Sequence, residues 1–168
     1  HISNTIAMLS NNIIRLLDQR NITYTLHDLK SYEKFSAIEV SQLLEQPVEI
    51  VYKTIILSSP ANRGKLIAAL VPSDKKVDSK KLAKILGLKK ISPLRQTDAE
   101  ARTGMQTGGI SPLGLINQPF LIVVDDSINS LDTVIISAGT RGWQLELQTS
   151  DLLKLCNAQT KPISTTII

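Results

Sequence analysis

The 168-residue sequence predicts an α+β fold in which helices cover a mixed β-sheet. Three observations carry that expectation. Apolar residues recur at helical spacing in several segments, with Ser, Thr or Asp near their starts. Between them lie runs rich in β-branched residues, whose alternation differs from run to run. Hydrophobic residues make up 42% of the chain, enough for a core, and the length suits a compact single domain over residues 1–168. Strands of mixed pattern interleaved with helices favour one mixed sheet over a parallel stack.

The elements follow in order. Ile6, Leu9, Ile13 and Leu17 share one face of a helix from about Thr5 to Arg20, and a short strand, Ile22–Leu26, comes next. Ser36-Ala37-Ile38-Glu39 has capping-box spacing and opens a helix through about Glu45. Strands at Ile50–Leu57 and Lys65–Val71 flank the turn residues of 58–64. Asp78 is placed to cap a helix that stops at Gly87. A brief strand near Lys90–Ile91 precedes Thr97-Asp98-Ala99-Glu100, a second capping box. Phe120–Val124, Thr133–Ser137 and Trp143–Leu147 read as strands, and Thr149 or Ser150 caps a last helix. Lys161–Ile168 is apolar and Thr-rich, with no evident role.

Composition narrows the chemistry. No 18-residue apolar stretch exists, so no membrane span is expected. The first residues lack the pattern of a secretory leader, and Cys156 is the only cysteine, so the expected compartment is a reducing cytoplasm. Cys156 falls in an apolar helical segment and reads as a buried structural thiol. His1 and His27 are the only histidines, and no Cys/His/carboxylate cluster has metal-ligand spacing, so neither a metal nor another cofactor is expected. His27 reads as a strand-end structural residue. Neither a G-x-S-x-G elbow nor a phosphate-binding glycine motif occurs. Any catalysis runs without a serine–histidine pair.

Two segments stand out. Thr107-Gly108-Gly109-Ile110-Ser111-Pro112-Leu113-Gly114 gathers three of the 8 glycines and one of the 7 prolines. Glycine permits close approach to the backbone, and Pro112 restricts Ser111. The loop reads either as a tight surface turn or as a rigid array of N–H donors for an anion or oxyanion. The second segment is the strand around Lys53, apolar on both faces. Desolvating an ammonium costs several kcal/mol, roughly as for any buried ion, so Lys53 either snorkels from an edge strand or lines a polar cavity. Periodicity alone favours snorkelling.

Charge adds a third feature. Lys75, Lys76, Lys80, Lys81, Lys84, Lys89 and Lys90 lie close together, with Asp74 and Asp78 the only nearby carboxylates. Such a run is either a solvated helix face or a handle on nucleic-acid phosphates. Aromatic residues, at 4%, are too few for an extended base-stacking platform.

Val51-Tyr52-Lys53-Thr54, the glycine loop and Ser137-Ala138-Gly139-Thr140-Arg141-Gly142 occur in an order and spacing that resemble the YbaK-type aminoacyl-tRNA deacylases. These bacterial enzymes are relatives of the editing domain inserted in prolyl-tRNA synthetases. The resemblance runs from about Asn21 to Leu155 and includes Leu70-Val71-Pro72 and the segment Lys80–Gly87. It implies a partly closed sheet around an active cavity. It also implies a hydrolase that removes the amino acid from mischarged tRNA, with Cys-tRNA(Pro) the leading substrate and Ala-tRNA(Pro) or another small residue the alternative. A non-catalytic tRNA or aminoacyl-nucleotide binding module, or a regulatory protein that has lost activity, is the reading from other classes.

The same resemblance assigns roles. Lys53 and Gly108 are the candidate catalytic residues, and no protein nucleophile is used: the substrate's own thiol, a ribose hydroxyl or water attacks. Gly109, Ile110, Ser111, Pro112, Ser137, Gly139 and Arg141 are the candidate substrate-binding residues. The partners it implies are the tRNA acceptor end with its aminoacyl-adenosine, and prolyl-tRNA synthetase; the chain is expected as a monomer. Two departures bear on specificity. Gln144 stands where many Cys-tRNA(Pro) deacylases carry an acidic residue, and the segment after the first strand lacks the usual tyrosine unless Tyr32 replaces it.

Overall fold

The computed structural model describes residues 12–29 and 37–167. Helix α1 occupies 12–19 and is followed by strand β1 (Tyr24–Asp28) and helix α2 (Ala37–Leu43). Then come β2 (Tyr52–Ser59), β3 (Lys65–Pro72), β4 (Lys75–Val77), α3 (Ser79–Leu86), β5 (Ser92–Pro93) and α4 (Gln96–Thr103). The chain continues through β6 (Phe120–Asp125), β7 (Thr133–Ser137), β8 (Trp143–Gln148), α5 (Thr149–Cys156), β9 (Gln159–Lys161) and β10 (Ser164–Thr166). No described helix is long and apolar enough to cross a membrane.

The mixed sheet is present, and its strand order is β5-β2-β3-β6-β9. β2 runs antiparallel to β3 and β5, whereas β3, β6 and β9 run parallel. A second, antiparallel sheet has the order β1-β8-β7. A single parallel bridge, Val51 to Ile135, joins the edges of the two sheets and gives the partial closure.

Alternation along the central strands fills a core on each face. Tyr52, Ile56, Ala68, Leu70, Ile122 and Val124 enter the larger cluster, against α1 and α5. Leu57, Ile67, Ala69, Val71 and Val123 enter the second, against Leu82 and Ala83 of α3. β3 is therefore buried from Ile67 onward, as a strand covered on both sides must be. Each buried Val, Leu or Ile side chain among them contributes about 1.5–3 kcal/mol by leaving water.

Several boundaries depart from the sequence expectation. The first strand begins at Tyr24, because Asn21 turns to φ 55° and the Ile22 N–H closes α1 on the Leu17 carbonyl at 2.9 Å. His27 consequently lies within β1. β2 starts later because Pro47 leads into a 3-10 turn at Val48–Ile50, and it extends to Ser59. The strand expected at Lys90–Ile91 forms at Ser92–Pro93, since its partners are Leu57 and Ser58. Thr97 does not cap α4, which begins at Gln96 with no side-chain cap. Thr149 is the first residue of α5 rather than its cap, and its buried hydroxyl has no hydrogen-bond partner among the described residues. Asp78 does cap α3, accepting from the Lys81 N–H at 3.1 Å, and Gly87 ends it at φ 68°. The start of the first helix and Ser36 lie outside the described residues.

The chain end has a role after all. β10 pairs with β4, and Ile163 between β9 and β10 is fully buried. Buried Asp125 holds this segment, accepting from the N–H groups of Ile163 at 3.0 Å and Ser164 at 2.9 Å. It also accepts from Ser127, whose hydroxyl meets Tyr52 Oη at 2.6 Å. Burial raises the Asp125 pKa, but these donors outweigh it and hold the carboxyl below its ordinary value, while burial pushes the Tyr52 phenol up to about 12.

Asp125→Ala strands the buried Ile163 N–H and should cost about 2–4 kcal/mol in urea unfolding at pH 7. Because the folded pKa is depressed, the wild-type contribution is present above the ordinary value of 3.8 and is lost as pH falls through the lowered one. The two proteins should therefore converge in acid. Equal stability at pH 7 would remove Asp125 as the anchor of the chain end.

Candidate active site

Lys53 lies near the start of β2. β5 covers the outer edge of that strand only at Leu57 and Ser58, so beside Lys53 and Thr54 the edge has no strand partner. The open edge borders a cavity of about 210 Å³. Its apolar wall comes from Val40, Val51, Ile55 and Ile110, and its polar groups are Lys53, Thr54, Thr107, Gly108, Ser137 and Gln144. Lys53 thus lines a cavity rather than merely snorkelling from an apolar strand. Burial lowers its pKa below 10.5, and Asp74 counteracts part of that shift.

The glycine loop reaches the cavity through Thr107, Gly108 and Ile110. Three side chains hold its backbone. Glu100 accepts from the Thr107 N–H at 2.8 Å, Arg141 Nε donates to the Thr107 carbonyl at 3.1 Å, and Ser137 donates to the Gly108 carbonyl at 3.2 Å. The Thr107 N–H and Arg141 both keep the Glu100 carboxyl below its ordinary pKa, the former more strongly. Gly108 sits at φ 90°, where a side chain would be strained. Its N–H makes no hydrogen bond to any described residue, whereas that of Gly109 is used by the Gln106 carbonyl at 2.8 Å. A Cβ on Gly109 would lie 2.6 Å from the Arg141 backbone nitrogen, so this glycine serves close packing of loop on turn.

The sequence candidates therefore divide. Lys53, Gly108, Ile110 and Ser137 meet in one cavity. Ser111 and Pro112 are buried and lie off its lining, with the Ser111 hydroxyl accepting from the Leu113 N–H at 3.3 Å. Gly139 and Arg141 border a separate depression of about 190 Å³ with Glu100 and Met105. Gly139 and Gly142 take φ 93° and 88° in the turn between β7 and β8, so the third motif is both a turn and a buttress for the loop.

Gln144 lies opposite Ser137 on β7 and His27 on β1. It is only 4% exposed, borders the cavity, and its amide makes no hydrogen bond to a described residue. His27 turns instead to Glu146, with Nε2 and Oε1 3.1 Å apart. Glu100 escaped the sequence reading because its spacing to Thr97 suggested a capping role; Thr54 stood in the Lys53 motif without being singled out, and Val40 carried no signal. Tyr32 lies outside the described residues. Cys156 is buried with its thiol pushed up to about 12 and takes no part.

Comparison with known proteins gives this geometry a family. Residues 33–155 match the aminoacyl-tRNA editing domain. The chain is 33% identical over 155 residues to the Enterococcus faecalis protein named "Putative Cys-tRNA(Pro)/Cys-tRNA(Cys) deacylase EbsC", covering 92% of this chain and 93% of that one. It is 28% identical over 131 residues to the uncharacterized Bacillus subtilis protein YwhH, covering 75% and 79%. The fold is shared with the crystal structure of hypothetical protein APE2540, at TM-score 0.81 and 23% identity over 91% of this chain and 99% of that one. It is shared also with a structure titled as a putative trans-editing enzyme for prolyl tRNA synthetase, at TM-score 0.77 and 19% identity over 94% and 97%. By its matched residues and its 33% identical relative, the chain belongs to the aminoacyl-tRNA editing domain family.

Proposed function

We propose that the chain, as one editing domain, hydrolyses the ester of mischarged aminoacyl-tRNA, with Cys-tRNA(Pro) its leading substrate. The observation that carries this reading is the meeting of Lys53, the Gly108 loop with its unused N–H, and Ser137 around one small apolar cavity. A space of about 210 Å³ suits a short uncharged aminoacyl group, so Ala-tRNA(Pro) is the natural competitor. The name of the Enterococcus relative supports cysteine.

The chemistry follows from the groups available. Water, or the substrate's own thiol in a step that water completes, attacks the carbonyl carbon and gives up its proton towards the ribose oxygen, and negative charge gathers on the carbonyl oxygen. The Gly108 N–H and the Lys53 ammonium receive that charge. One preorganised donor of this kind is worth ~10²–10³ in rate. Collapse breaks the carbon–oxygen bond to the ribose, which leaves with a proton as a hydroxyl. Glu100 and Arg141 hold Thr107, and through it the adjoining Gly108, at the lining of the cavity. On this reading the protein works as a monomer in the cytoplasm, on charged tRNA supplied by prolyl-tRNA synthetase, and no cofactor enters the scheme.

The direct test is turnover of Cys-tRNA(Pro) beside Ala-tRNA(Pro) and correctly charged Pro-tRNA(Pro). Selective release of cysteine is expected; hydrolysis of none of the three would overturn the reading. Lys53→Met keeps the apolar stem and removes the charge. Its turnover should fall at least ~10²-fold, with thermal stability unchanged or raised because the desolvation penalty is gone. The lowered folded pKa makes wild-type stability rise with pH on the approach to 10.5, and the variant should lack that rise. Wild-type rates from Lys53→Met would remove the lysine from the mechanism.

Gln144→Leu fills the same space without the amide. The loss of one substrate hydrogen bond should raise KM about 2–10-fold, with no loss of stability because the amide has no partner among the described residues. An unfolded or strongly destabilised variant would instead assign Gln144 to the scaffold.

A further inference from the structure

The lysine-rich segment does not act as one patch. Lys80 and Lys84 on α3 and Lys89 and Lys90 beyond it line one groove of about 640 Å³, between α3 and β5. Lys75, Lys76 and Lys81 lie off its lining. No Asp or Glu lines the groove, and none of its four lysines makes an ion pair among the described residues. α3 itself holds no acidic residue beyond its Asp78 cap, so Lys80 and Lys84, one turn apart, have no carboxylate between them on the helix. The far wall is fixed: the Leu88 N–H meets the Ala83 carbonyl at 2.9 Å, and the Lys89 N–H meets Asn62 Oδ1 at 3.1 Å. A solvated helix face ordinarily mixes both signs of charge. A rigid groove with one sign fits a polyanion.

Its position identifies which polyanion. Lys53, Ile55 and Leu57 alternate onto one face of β2, and Leu57 packs in the same cluster as Leu82 and Ala83 of α3. The groove and Lys53 are therefore on the same side of the five-stranded sheet. Ser58, which pairs with Ser92 of the groove wall, is five residues from Lys53, roughly 16 Å along the strand at ~3.3 Å per residue. We propose that this groove binds the phosphate backbone of the tRNA acceptor arm while its esterified end occupies the Lys53 cavity. The proposal rests on the function above for the placement of that end.

The test compares Lys84→Glu/Lys89→Glu, one change on each wall, with Arg20→Glu/Lys154→Glu, which alters net charge equally at exposed positions off the groove lining. The groove variant should raise KM for aminoacyl-tRNA at least ~10-fold, with kcat within about twofold and hydrolysis of aminoacyl-adenosine unchanged. The salt slope of uncharged tRNA binding should fall by about 0.7–0.9 for each phosphate that the variant no longer neutralises. The control variant should behave as wild type. Wild-type tRNA affinity across salt for the groove variant, or equal weakening in the control, would overturn the proposal. The binding arm needs no hydrolysis. A weakened groove variant in a protein that deacylates nothing would sink the enzymatic reading and sustain the groove, while normal deacylation with an unchanged slope would do the reverse.

Discussion

A lysine ammonium kept where water is scarce is the constraint on which the rest of the site depends. The charge of half-buried Lys53 is opposed by burial and helped in part by Asp74, and it borders a cavity that it shares with Thr54, Thr107, Ser137 and Gln144. The arrangement follows from a strand that serves two cores. Tyr52, Ile56 and Leu57 lock β2 between layers of side chains, which fixes the backbone that carries Lys53. Because β5 stops short, the edge beside Lys53 stays uncovered. A neutral side chain at this position would be easier to fold around; the lysine is retained at an energetic cost that only a negative partner removes.

The opposite wall is held with equal economy. Thr107 is held on both sides, its N–H by Glu100 and its carbonyl by Arg141, and Ser137 fixes the next carbonyl. Two adjacent glycines divide the work. Gly108 supplies an N–H with no acceptor among the described residues, at a backbone angle that side chains avoid, and Gly109 lets the loop lie directly on the Thr140–Arg141 backbone. Arg141 thereby acts on the loop. Behind this, the Tyr52–Ser127–Asp125 chain connects the lysine strand to the chain end, so distant segments share in keeping β2 still.

What the sequence made legible was whatever local chemistry determines. Asp78 and Gly87 bound α3 by a cap and a left-handed turn, both written within a few residues. Thr133–Ser137 could be read directly because its β-branched run meets a turn at each end. The failures have a common cause in distant partners. Ile22 looks extended, yet its N–H is taken by α1. Two short strands near the C-terminus exist only because β6 and β4 receive them. At the site, motif order brought Lys53, Gly108, Ile110 and Ser137 together, whereas Glu100 was hidden because its partner is a loop N–H seven residues away. The lysine run was visible as charge, but its division into groove and surface required the fold.

The most direct measurement is a nitrogen–proton NMR titration with a non-hydrolysable amide analogue of cysteinyl-adenosine. The account predicts saturable shifts at the Gly108 and Ile110 amides and at the Lys53 side chain, with little change at Arg141 or the α3 lysines. Saturable binding that leaves Gly108 and Lys53 unmoved would contradict it.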